Sequence, residues 1–179
     1  MDKKINIFYL AKPRFGGWVS FTAHLALKYN WNLYRITNTN EKNTRNFGYG
    51  VDYKNINIDS IPDGIILISA IDKNYYKYLD KIPDGSYLVI HDPTELKLAL
   101  IPHLKRFKII TIRSTVHKYL LNKYNIENKF ILHPFYEYEK TDCPKQGAVS
   151  ISRIDYDKHT DLLIEANDKL KIPIDIDGK

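Results

Sequence analysis

Apolar residues fall along this chain in short, unbroken runs separated by segments of helical spacing. Ile5–Leu10 reads as a buried strand, and Trp18–Tyr29 as a helix with Val19, Ala23, Ala26 and Leu27 near one face. Trp31–Thr37 is a second strand, followed by an asparagine-rich stretch, 38–46, without periodicity, which predicts an exposed loop. The run from Gly64 to Ala70 does not alternate, as expected of a strand covered on both faces. Asp72–Lys81 predicts a tyrosine-rich helix, and Ile82-Pro83-Asp84-Gly85 a turn. Further strands are expected at Ser86–His91, Lys108–Ile112 and Phe130–His133, with a short helical piece near Thr94–Leu100 and a helix over Ser114–Tyr124. Strands alternating with helices, each strand apolar throughout, predict an α/β fold with a Rossmann-like, mostly parallel sheet and helices on both faces.

The pattern then breaks. Residues 137–147 are polar and read as a linker between a first domain, 1–136, and a further segment, 148–179. That segment repeats the order strand (Ala148–Ser152), helix (Lys158–Lys169), strand (Ile172–Ile176). One βαβ unit is too little to bury a sheet, so it is expected to be the opening of a second, incomplete Rossmann-like domain.

Composition narrows the classes. With 44% apolar residues the chain can build a core. No window approaches the roughly 20 uninterrupted apolar residues of a membrane span. The short apolar start without a small-residue cleavage site, and the single Cys143, lead us to expect a cytoplasmic protein without disulfides. Residues 1–145 hold 22 Lys and Arg against 14 Asp and Glu, and 146–179 hold 5 against 7. A basic first region suits an anionic partner or simply a solvated lysine-rich surface, and only 105–108 (Lys-Arg-Phe-Lys) is dense.

Three places carry candidate chemistry, all at expected strand ends, where parallel α/β sheets bind ligands. In the loop 12–18, Gly16 and Gly17 allow backbone to approach a ligand at a helix start, and Lys12 and Arg14 add charge; a tight turn explains the glycines equally well. His91, with Asp92 beside it to position the ring, can hydrogen-bond a hydroxyl or phosphate, or serve only structurally. In the loop 152–161, Arg153 and Lys158 at a helix N-terminus suit a diphosphate, although Asp157 and Asp161 can pair with them instead.

The pattern strand, Arg153-Ile154-Asp155-Tyr156-Asp157-Lys158, helix, Glu165-Ala166 resembles the start of the second domain in retaining glycosyltransferases of the GT-B fold. The Gly-Gly loop after the first strand, His-Asp after a central strand, the strand-Ser-helix of Ile110–Tyr124, and His133-Pro134-Phe135 follow in the family's order. The resemblance implies a metal-independent enzyme that takes a nucleotide-sugar such as a UDP- or GDP-hexose as co-substrate, without a cofactor. Arg153 and Lys158 would neutralise the departing diphosphate. Gly16 and Gly17 would approach the donor phosphates or the transferred sugar, and His91 would hydrogen-bond that sugar. Arg14 and Trp18 would face the acceptor, which is a glycan, a lipid or, as in phage enzymes that glucosylate bases, DNA. Ser152 and His159 stand where the family has glycine, and its glutamate pair and nucleotide-contacting loops have no counterpart before residue 179. The chain alone is therefore expected to bind donor weakly, with the rest of the second domain as its missing partner. A nucleotide- or nucleic-acid-binding module without chemistry is the alternative.

Overall fold

The computed structural model describes residues 4–11, 16–36, 50–137, 148–151, 160–170 and 174–177. The chain divides into two compact units, Met1–Glu137 and Tyr138–Lys179. In the first, β1 (Ile5–Leu10), α1 (Gly17–Tyr29), β2 (Asn32–Ile36), β3 (Lys54–Ile56) and β4 (Ile65–Ile71) are followed by a 3-10 helix over Lys73–Lys81. Then come β5 (Tyr87–Ile90), a 3-10 turn over Pro93–Glu95, α2 (Ile101–Leu104), β6 (Lys108–Thr111), α3 (Ser114–Tyr124) and β7 (Asn128–Phe130). The seven strands form one sheet in the order β3-β2-β1-β4-β5-β6-β7, and every neighbouring pair is parallel. In the second unit, β8 (Ala148–Ile151) pairs in parallel with β9 (Ile174–Asp177), with α4 (Thr160–Asn167) between them in sequence. The α/β class and the Rossmann-like parallel sheet expected from the sequence are therefore correct.

The unalternating strands are explained by two cores. Ile7, Tyr9 and Ala11 face the side covered by Val19, Phe21, Leu25 and Ala26 of α1. Phe8 and Leu10 face the other side, against Tyr75 and Leu79 of the 3-10 helix and Val116 and Leu120 of α3. A period of two on an element buried on both faces demands apolar residues at every position.

Some expectations shift. The segment after Asp72 winds as a 3-10 helix rather than an α-helix. Asp72 caps it by accepting from the Asn74 N–H at 2.8 Å, and its last carbonyls find partners outside the helix. Arg106 donates to the carbonyls of Leu79 and Ile82 and to the carboxylates of Asp80 and Asp84. The densest basic stretch thus spends its arginine on a turn. The helical piece expected near Thr94–Leu100 is replaced by the 3-10 turn and, later, by α2. The strand β7 precedes the apolar run expected to form it. Pairing with β6 ends at Thr111 and Phe130, and Leu132 is 80% exposed. Asn128 anchors β7 by accepting from the Thr111 hydroxyl and donating to the carbonyls of His117 and Ile126. The edge strand β3, polar and short, was not expected at all. The linker 137–147 lies outside the described residues except for Glu137, as does the asparagine-rich loop. No helix among the described residues is long and apolar enough to cross a membrane.

Gly64 enters β4 with φ of 130°, and a Cβ there would overlap the carbonyl oxygen of Lys4, which accepts from the Ile65 N–H. Gly64→Ala should therefore cost roughly 1–3 kcal/mol. Urea denaturation checks this: the midpoint should fall with an unchanged slope, and an unaltered midpoint contradicts the assignment.

Candidate functional site

From β1 the chain runs through β2 to β3 on one side, then returns to place β4 on the other side of β1. Such a reversal opens a crevice at the carboxyl ends of the strands. The β1–β4 pair also carries a bulge. The β1–β4 register runs from Phe8 opposite Ile68 directly to Tyr9 opposite Ala70, passing over Ser69. Bulges of this kind are rare in parallel pairs and leave the extra residue outside the ladder. Pairing between β4 and β5 also stops at Ile68 and Leu88, while β5 continues against β6 through Ile90. The sheet parts there, and His91 fills the opening.

His91 is 5% exposed, and its Nε2 lies 2.7 Å from the Ser69 carbonyl. A carbonyl can only accept, so Nε2 carries the proton. The Ser69 hydroxyl shares a 2.8 Å hydrogen bond with that of Thr22, which also donates to the Trp18 carbonyl in α1. The ring stands edge-on to Phe21 with centroids 4.8 Å apart. Burial pushes the His91 pKa down to about 4, with His133 and Arg113 adding to the fall and the Ser69 bond opposing it.

Glu95 lies opposite. It is 8% exposed; Oε1 accepts from the Trp18 indole N–H at 2.7 Å and Oε2 from the His91 backbone N–H at 2.9 Å. Burial pushes its pKa up to about 7 against those two hydrogen bonds. Asp92 caps the 3-10 turn through the Thr94 N–H and takes an ion pair from Arg113 at 2.8 Å. Its carboxyl is held low chiefly by that Thr94 bond. Asp92 therefore does not position the His91 ring; the Ser69 carbonyl does. The expected role of the neighbouring aspartate is corrected accordingly.

A cleft of about 500 Å³ joins these groups. Gly17 and Trp18 line it from the start of α1, His91, Asp92, Thr94 and Glu95 from the loop after β5, and Ile112, Arg113 and His133 from the next two strand ends. Gly16 caps α1 with φ of 95° and no side-chain hydrogen bond, and its carbonyl accepts from Val19 and Ser20. The N–H groups of Gly17 and Trp18 have no intrahelical partner. After β7 the chain crosses α1: His133 meets Phe21, Phe135 stacks on His24, and the Tyr136 N–H donates to His24 Nδ1 at 3.2 Å. A cleft of about 570 Å³ at the amino ends of β2 and β3, lined by Trp31 and Tyr53, contains none of the expected residues.

Of the expected site residues, Gly17, Trp18 and His91 meet in this cleft, with Gly16 adjoining them. Arg14, Arg153 and Lys158 lie outside the described residues. Glu95, Arg113 and His133 were missed. Asp92-Pro93-Thr94-Glu95 is the cap-x-x-acid pattern of a helix start, which marks a turn here but not the contacts of Glu95 with the His91 N–H and Trp18. Nothing local marks Ser69 as a bulge. No family model, curated protein or solved structure matches the chain.

The two buried groups predict opposed pH responses. Between its ordinary 4.5 and about 7, Glu95 keeps a proton in the fold that the unfolded chain has lost, so its contribution to stability falls as pH rises. Between about 4 and its ordinary 6.5, His91 is neutral in the fold and charged in the unfolded chain, so its contribution rises with pH. Each is worth about 3 kcal/mol, and the two offset one another where they overlap. Glu95→Gln should expose the His91 slope. Chemical denaturation should then show stability climbing by about 3 kcal/mol from pH 4 to pH 6.5, and a flat profile in that variant contradicts the assignment.

Proposed function

We propose that the chain acts in nucleotide-sugar-dependent glycosyl transfer, its first unit forming the acceptor-side half and its second carrying the diphosphate-binding Arg153 and Lys158. One observation carries the reading: Gly17 and His91, singled out by resemblance and far apart in sequence, line a single cleft at the carboxyl end of a parallel sheet. In this reading the start of α1, which has no side-chain cap, offers backbone donors to the donor substrate, and His91 hydrogen-bonds the transferred sugar. Arg153 and Lys158 stabilise the leaving diphosphate without a metal.

A second reading, a nucleotide-binding module without chemistry, has its own support. His91 spends Nε2 on Ser69 and Asp92 closes on Arg113, so much of the cleft's polar chemistry is already internal. Release of free sugar from a UDP- or GDP-hexose separates the two.

Calorimetric titration with UDP, GDP and their sugar conjugates tests the main reading. One nucleotide should be preferred, and Arg153→Ala should weaken its binding by roughly 1.5–3 kcal/mol with little change in stability. Equal affinity in the two proteins contradicts the role given to Arg153.

A further inference from the structure

Past β7 the chain leaves the sheet. The Ile131 N–H donates to the Thr111 carbonyl at 2.9 Å, and of residues 132–137 Pro134 alone is buried. Leu132 and Phe135 are 80% and 64% exposed. A segment that buries so little depends on its few polar contacts. Its backbone is tied to α1 by the bond from the Tyr136 N–H to His24 Nδ1, 3.2 Å long. A backbone N–H can only donate, so Nδ1 is the bare nitrogen of a neutral ring. A proton there turns the acceptor into a second donor and abolishes the bond. The titratable and charged groups around His24 are His133 and Tyr136 from this segment, with Glu137 next in the chain, and Lys28 one turn along α1, whose ammonium lies over the Tyr29 ring. The His133 ring is 6.1 Å away and spends its Nδ1 proton on the Pro134 carbonyl at 2.7 Å. Burial and, after it, His133 push the His24 pKa below its ordinary 6.5. Phe135 stacks on His24 with centroids 5.6 Å apart, but a charged ring would stack there too, so the Tyr136 bond is what tells the two forms apart.

We propose that residues 132–136 form a strap that neutral His24 holds across α1 and that protonation of His24 releases, withdrawing His133 from the wall of the cleft. His133 is the member of the strap that lines the cleft, and it rests edge-on against Phe21, whose ring also meets His91. The released ring takes up its proton at its ordinary 6.5 and the held ring only at lower pH. Docking of the strap is therefore at full strength above 6.5 and weakens as pH falls below it. The wall is complete near neutral pH and parts in acid. The strap works alike whatever the cleft binds, so it does not rest on the glycosyl-transfer reading.

Amide exchange followed by NMR and corrected for the intrinsic rate tests the strap. Protection of the Tyr136 N–H should fall about fivefold or more between pH 7.5 and pH 5, the change expected from one ordinary hydrogen bond, while the amides of β1 keep theirs. Its midpoint should coincide with the titration of the His24 ring, and cross-peaks between the His133 and Phe21 rings should fade over the same range. His24→Asn places an amide oxygen where Nδ1 stands and should hold the strap at both pH values. His24→Phe keeps a ring to stack on Phe135 but offers no acceptor, and should leave the Tyr136 N–H unprotected at both. A Tyr136 N–H indifferent to the His24 titration, His133–Phe21 cross-peaks that persist at pH 5, or a loss of protection shared with β1 overturns the inference. Should either variant fail to fold, the coincidence of the two titrations in the unaltered chain decides, and midpoints that differ overturn it equally.

Discussion

The hydrogen bond from His91 to the Ser69 carbonyl is the contact on which the cleft depends. A regular strand would have committed that carbonyl to the ladder. The bulge takes Ser69 out of register, ends pairing between β4 and β5, and turns a backbone acceptor toward a side chain arriving from the next strand end. The same residue ties the sheet to α1 through Thr22, whose carbonyl-bound hydroxyl sits one turn after Trp18. Trp18 reaches Glu95, and Glu95 returns to the His91 N–H. The loop of contacts closes on itself, so each wall of the cleft is fixed by another wall.

That closed circuit has electrostatic consequences. Burial favours the uncharged form of both titratable members, pushing the His91 pKa down and the Glu95 pKa up. The neutral histidine is locked in one tautomer, and its acceptor nitrogen has no hydrogen-bond partner among the described residues. Among the described residues that line the cleft, the cation Arg113 is 60% exposed on its side chain and is paired with Asp92. The described lining of the cleft therefore carries little uncompensated charge.

Much of the fold could be read from the sequence because strands covered on both faces announce themselves by continuous apolar runs. β1, β4, β5 and β6 were legible for that reason, and α3 was legible from its register between Ser114 and the turn at Asn125. β3 was not, since Lys54-Asn55-Ile56 sits at a sheet edge and has little to bury. β7 was misplaced because exposed Leu132 extends an apolar run past the point where pairing stops. In the cleft, glycines and a strand-end histidine were visible as residue types. Ser69 and the function of Glu95 were not, because a bulge is a property of two strands in register and a carboxylate 77 residues from its indole partner leaves no local pattern.

The most direct test of this account is the protonation state of His91 itself, read by long-range proton–nitrogen NMR across a pH series. The ring should appear as the Nε2–H tautomer at neutral pH and remain neutral until the pH approaches about 4. A neutral ring protonated on Nδ1 would mean that the Ser69 carbonyl does not hold it, and a ring that titrates near its ordinary 6.5 would mean that it is not buried as described; either result contradicts the account.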